Sequence, residues 1–173
     1  VTVNTPILVS SISISGGSEV FIGNTLQLST SVLPENSANK TLTWSSSDIN
    51  LATIDQNGLV TGKAAGDVTI IAKANDGSNV QGSVTINVKA VPVTSITISG
   101  NSEVPVNRTL QLSAEINPTN ASNKAVTWSS SDETKATVDQ TGKVTGVAET
   151  DEVIITATAQ DGSGKFASKA IKV

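Results

Sequence analysis

Two tandem all-β domains, each a two-sheet sandwich, are predicted from three features of this 173-residue chain. Apolar side chains alternate with polar ones at a period of two rather than 3.6. Turn-forming Gly, Asn, Asp and Ser recur about every 8–12 residues, the spacing of short antiparallel strands. The hexapeptide Thr-Trp-Ser-Ser-Ser-Asp stands at Thr43–Asp48 and again at Thr127–Asp132, each copy carrying the only Trp of its half.

The repeated hexapeptide belongs to a longer duplication. Shifting Ser11 onto Ser95 aligns the two halves without a gap as far as Ala64, with 32 of 54 positions identical. One extra residue enters around Glu149–Glu152, and the match resumes at Val68 with Val153 and runs to Val88 with Val173. Self-similarity on this scale marks two copies of one structural unit. The expected organisation is a domain over residues 11–90, a short linker at 91–94 and a second domain over 95–173. Residues 1–10 are expected to be the tail of an upstream copy with its linker, because Val1–Val3, Pro6 and Ser11-Ile12 repeat the spacing of Ile86–Val88, Pro92 and Ser95-Ile96. With no Met anywhere, the chain is expected to be a slice of a longer array.

Each element follows from its pattern. Ile12/Ile14 and Ile96/Ile98 place alternate apolar groups on one face of a first strand, and Leu26/Leu28/Val32 and Leu110/Leu112/Ile116 do so for a second. Pro34 and Pro118 end that strand, since Pro cannot donate to a ladder. Leu42/Trp44 and Val126/Trp128 make a third strand with the indole on the buried face. The Ser run and Asp48 or Asp132 then turn the chain through side-chain bonds to nearby backbone. Ala52/Ile54 and Ala136/Val138 form a short fourth strand. Asn57-Gly58 and Thr141-Gly142 turn it back into Val60 and Val144, with Gly supplying positive φ. Val68–Ala74 and Val153–Ala159 alternate through a long strand. Asp76-Gly77-Ser78 and Asp161-Gly162-Ser163 lead into the last one, which ends in Ile86/Val88 and Ile171/Val173. Six to eight short strands per domain need a second sheet to bury their alternating faces. In so small a core one indole supplies much of the buried area.

Composition narrows the function. His and Cys are absent, which removes Ser–His–Asp and Cys–His catalysis, disulfides and imidazole or thiolate metal sites. The net charge of −4, with Lys and Arg scattered singly, lacks the basic stripe of a nucleic-acid binder. No run of 18 apolar residues is present to span a membrane as a helix.

The ordered series Gly23–Leu28, Pro34, Leu42–Asp48, Ala52–Asp55, Gly58–Gly62 and Val68–Ala72 resembles the bacterial Ig-like domain family, group 2. The second copy resembles it at Asn107–Leu112, Pro118, Val126–Asp132, Ala136–Asp139, Gly142–Gly146 and Val153–Ala157. Two departures stand out: Asn107-Arg108 where a Gly is usual, and the longer turn at Glu149–Glu152. The resemblance implies two tandem immunoglobulin-like β-sandwiches from an extracellular, cell-surface or secreted protein such as an adhesin, an S-layer or cell-wall protein, or a phage tail protein. The role it implies is a non-catalytic spacer or stalk that presents another domain. The alternatives are an adhesive module recognising a host protein or cell-wall polysaccharide, and an accessory module of a secreted carbohydrate-active enzyme. The expected partners are neighbouring repeats of the same chain, and the expected state is monomeric.

Few residues are left for chemistry. The Ser runs Ser45–Ser47 and Ser129–Ser131 have no base nearby in sequence and read as turns. The acids repeated in both copies, Glu19/Glu103, Asp48/Asp132, Asp55/Asp139 and Asp76/Asp161, stand mostly beside turns, so no catalytic pair is assigned. The clusters Asp48-Ile49-Asn50, Asp55-Gln56-Asn57 and Asp76-Gly77-Ser78-Asn79 offer oxygens but no complete calcium loop. No cofactor and no metal site are therefore expected; weak, roughly millimolar Ca2+ binding is left open. Phe21 and Phe166, at positions where the other copy has Pro105 and Gln81, are expected to be buried at a sandwich end or between modules, with exposure as a contact the alternative. Val91 and Val93 of the linker are expected to pack between modules, and Pro92 to stiffen the joint. Phe21, Arg108 and Glu149–Glu152 are the places to look for a binding surface.

Overall fold

A computed structural model describes residues 5–173, and the assignment of Val1–Val3 to an upstream copy lies outside them. The chain divides after Ala90 into two compact units.

The first unit contains, among its described residues, strands β1 (Ser11–Ser15), β2 (Glu19–Phe21), β3 (Thr25–Gln27), β4 (Ser29–Leu33), β5 (Leu42–Ser46), β6 (Ala52–Ile54), β7 (Leu59–Gly62), β8 (Gly66–Ala74) and β9 (Gln81–Lys89). One layer joins β1 to β4 and sets β3, β7 and β6 side by side; the other has the order β2-β9-β8-β5. β3 and β4 are the two halves of the predicted second strand. They part at Leu28, whose N–H turns to the Gly58 carbonyl at 2.9 Å. The alternation read from the sequence is the alternation of burial: Val68, Ile70, Ala72 and Ala74 of β8 all face the core.

The second unit repeats this with β10 (Ser95–Ser99), β11 (Thr109–Gln111), β12 (Ser113–Asn117), β13 (Val126–Ser130), β14 (Ala136–Val138), β15 (Lys143–Gly146), β16 (Val153–Ala159) and β17 (Phe166–Ile171). Its layers are β10-β12 with β11-β15-β14, facing β13-β16-β17. Pro34 and Pro118, each after a cis peptide bond, follow β4 and β12 as the loop signal requires.

Each core centres on its indole. Trp44 is 8% and Trp128 5% exposed, amid residues from both layers. The hairpin turn of the opposite layer presses on the ring. A Cβ on Gly142 would lie 3.0 Å from Trp128 Cζ2 and 2.6 Å from the Leu112 carbonyl, and the residue has φ +82°. Only glycine fits such a position without displacing its neighbours. Asn107, at the usual glycine site, holds φ 61°, a conformation that Asn tolerates better than most residues.

Three sequence expectations are corrected. β2 was not foreseen; it pairs parallel to β9 with Glu19 opposite Asn87, Val20 opposite Val88 and Phe21 opposite Lys89. Val9 and Val93, assigned to the stretches 1–10 and 91–94, are 3% and 1% exposed within the cores of the sandwiches that follow them. A Val entering just ahead of the first strand is held there by an acidic turn, described below. Phe21 and Phe166 are exposed, at 43% and 66%, because each sits on the outward parity of its strand.

Candidate functional site

The duplicated acidic turns are the most elaborate polar features of both modules, and each of these Asp side chains accepts backbone N–H groups through at least one oxygen. Asp48 and Asp132 accept from the N–H two residues on, at 2.8 and 2.9 Å. Asp55 accepts from Asn57 and Leu59 N–H at 2.8 and 2.9 Å, and Asp139 from Thr141 and Lys143 N–H at 2.8 and 3.1 Å, closing the hairpins over the Trp rings. Asp76 holds Ser78 N–H at 2.9 Å with one oxygen and Val9 N–H at 2.5 Å with the other. Asp161 does the same for Ser163 and Val93, at 2.9 and 2.6 Å.

For Asp55, Asp76, Asp132, Asp139 and Asp161 these bonds favour the charged carboxylate and hold its pKa below the ordinary Asp value. Leu59 N–H contributes most for Asp55, and the Ser78 hydroxyl, ahead of Val9 N–H, for Asp76. The side chains of Thr134, Thr141 and Ser163 lead for Asp132, Asp139 and Asp161. The result is a set of structural turns rather than a converging ligand shell. Among the described residues no group of three or more Asp or Glu is arranged to hold a metal ion.

The Ser runs also serve the backbone. Ser46 Oγ donates to the Asp48 carbonyl at 3.1 Å, Ser47 Oγ accepts from Thr69 N–H at 3.0 Å, and Ser131 Oγ accepts from Ile154 N–H at 2.9 Å. Glu19 pairs with Lys89 at 2.6 Å across the parallel strands. Of the residues singled out for binding, Phe21 lies on the first module, whereas Arg108 and, in the Glu149–Glu152 turn, Glu149, Asp151 and Glu152 are exposed on the second.

Sequence reasoning missed one paired feature. Gln140 Oε1 accepts from Trp128 N–H at 3.0 Å while its Nε2 donates to the Trp128 carbonyl, also at 3.0 Å. Gln56 does the same for Trp44, at 3.2 and 3.2 Å. The carboxamide thus imitates one residue of a neighbouring strand beside β13 and β5, the outermost strands of their sheets. The available signal was the recurrence of Gln twelve residues after each Trp.

Phe166 lies opposite Thr158 on β16, in a row with Thr127 of β13, and the next row out comprises Ser129, Thr156 and Ser168. The ring therefore stands on a hydroxyl-rich, uncharged sheet face. The equivalent row of the first module is Thr43, Lys73 and Gln81.

Comparison with known proteins gives two matches to the bacterial Ig-like domain (group 2) model, at residues 8–88 and 92–170. An uncharacterized protein of Clostridium acetobutylicum is 34% identical over 166 residues, 95% of this chain and 17% of that protein. An Ig-like virion protein of Serratia phage KSP90 is 35% identical over 146 residues, 82% of this chain and 56% of that one. A 3-O-alpha-D-galactosyl-alpha-L-arabinofuranosidase of Bifidobacterium longum is 43% identical over 77 residues, 44% of this chain and 7% of that enzyme. Domains 1–6 of the surface layer protein SbsC align over 98% of this chain and 28% of that one, with 19% identity and a TM-score of 0.43. The chain thus spans less than two thirds of the length of each of these relatives.

Proposed function

Because the chain belongs to the bacterial Ig-like domain family, group 2, we propose that its two modules are non-catalytic spacers that carry tension in an extracellular, cell-surface, virion or secreted protein. The observation that carries this reading is the parallel pairing of the segment that follows the first strand of each module with the module's last strand. In the first module Asn87 N–H donates to the Ser18 carbonyl at 2.8 Å and Ile22 N–H to the Lys89 carbonyl at 2.9 Å. In the second, Lys172 N–H donates to Ser102 at 2.8 Å and Val104 N–H to Lys172 at 2.9 Å. The two segments run parallel, so tension on the ends of a module pulls them in opposite directions along their length. All the bonds between them are then loaded together, in shear, instead of being broken one at a time from an end. The Asp76 and Asp161 turns add a further tie on the entering segment.

Stretching single molecules tests this. Two unfolding events are expected, both at forces well above those that unzip a hairpin. Ile22→Pro, which deletes the N–H bonded to Lys89, should lower the force of one event far more than it lowers thermal stability. Modules that open at hairpin-like forces while thermally stable would sink the reading.

The exposure of Phe166 favours a second role, contact of the outer face of β13-β16-β17 with a neutral polysaccharide. A ring can stack on a sugar face while Thr and Ser hydroxyls bond to its rim. Phe166→Gln, the residue the first module uses at this position, should abolish retention on immobilised glycans. Unchanged retention would remove that role from this face.

A further inference from the structure

β13 and β5 are edge strands without the usual protections. An exposed edge is a template for another chain, and proteins commonly blunt it with Lys, Pro, a bulge or an inward charge. Val126–Ser130 reads Val-Thr-Trp-Ser-Ser and Leu42–Ser46 reads Leu-Thr-Trp-Ser-Ser, with no charge and no Pro in either. The position of Trp128 is outward-bonding, since both its N–H and its carbonyl are taken by Gln140 and not by β16. Gln140 and Gln56 are themselves exposed, so water can replace the protein bonds if either side chain swings away.

We propose that the outer edge of β13 is a strand-pairing surface for a second copy of the chain, held shut by Gln140, and that β5 with Gln56 repeats the device. An antiparallel partner placed about a twofold axis at Trp128 would exchange both N–H···O bonds between the two Trp residues, the same pair of bonds that the carboxamide now makes. Such an interface is isologous, the ordinary symmetry of homodimers. Its flanks agree in charge. Lys124 and Asp132 each lie four residues from Trp128, just beyond the two ends of β13, so the twofold arrangement brings Lys124 of one copy near Asp132 of the other at both ends. Lys40 and Asp48 stand in the same relation to Trp44. The spacer role does not depend on this surface; it adds a route by which copies associate side by side when the Gln is displaced.

Sedimentation velocity of the whole chain over a concentration series tests the proposal. The wild-type chain should sediment as a monomer, and Gln140→Ala as a folded species in concentration-dependent equilibrium with a dimer. Adding Lys124→Asp to Gln140→Ala places like charges opposite each other at both ends and should weaken the dimer by about tenfold. A folded Gln140→Ala chain that stays monomeric throughout overturns the proposal. So does a dimer indifferent to Lys124→Asp, or a wild type that dimerises as readily as the variant. If circular dichroism shows Gln140→Ala unfolded, Gln140→Asn carries the same test, because its amide is one methylene too short to bridge both Trp128 groups.

Discussion

The carboxylate of Asp161 accepts the backbone N–H of Val93 at 2.6 Å, joining residues 68 positions apart in the chain. The bond draws the segment ahead of β10 against the β16–β17 turn and seats the Val93 side chain in the core. Asp76 and Val9 repeat it in the first module, at 2.5 Å.

Acid should therefore loosen both modules. The carboxyls of Asp55, Asp76, Asp132, Asp139 and Asp161 titrate lower in the folded than in the unfolded chain. A depressed folded pKa contributes stability that is complete above the unfolded value, about 3.9, and is lost as pH falls through the folded one. Melting temperatures should be flat near neutrality and fall below about pH 4. Asp161→Asn should lower the neutral-pH melting temperature of the second module and flatten its acid limb. An acid limb as steep as wild type would show that Asp161 does not contribute to it.

Trp128→Ala should destabilise the second module by about 3–5 kcal/mol, the usual cost of emptying a buried aromatic site. The first module should be unaffected. Urea unfolding followed by the remaining Trp44 fluorescence and by circular dichroism separates the two. A cooperative second transition near the wild-type midpoint would show that the indole is not the centre of its core.

Gly142 and Gly162 share φ +82° but differ in surroundings. A Cβ on Gly162 meets nothing within 4 Å, whereas one on Gly142 collides with the Leu112 carbonyl and the Trp128 ring. Gly162→Ala carries backbone strain alone, about 1–3 kcal/mol, and Gly142→Ala should cost clearly more. Equal losses in chemical denaturation would mean that the hairpin yields without disturbing the indole.

Calcium should leave the melting temperature unchanged relative to chelator. In Asp55, Asp76, Asp139 and Asp161 at least one oxygen is already committed to two backbone groups, or each oxygen to one. In Asp76 and Asp161, where both oxygens hold backbone N–H groups, a cation would compete with those bonds. A rise of several degrees would reveal selective binding to the folded state and reassign the acidic turns.

The duplication, the all-β class, the strands flanking each Trp and the turns after them were all legible in the sequence. These rest on relations between near neighbours: alternation at a period of two, Pro as a strand stop, Gly at positive φ, and Asp bonding to backbone two residues on. The buried Trp44 and Trp128, and the Asp55 and Asp139 hairpins, were legible for that reason. The tertiary structure alone decided what joins residues far apart in the chain. The parallel pairing of β2 with β9 is made by backbone groups, which leave no mark in side-chain pattern. Val93 in a core instead of a linker, and Phe166 facing outward, follow from where the flanking segments dock against β16 and β17. Gln56 and Gln140 were visible as repeated letters, but a carboxamide names no partner until folding brings the unpaired edge of β5 or β13 within its reach.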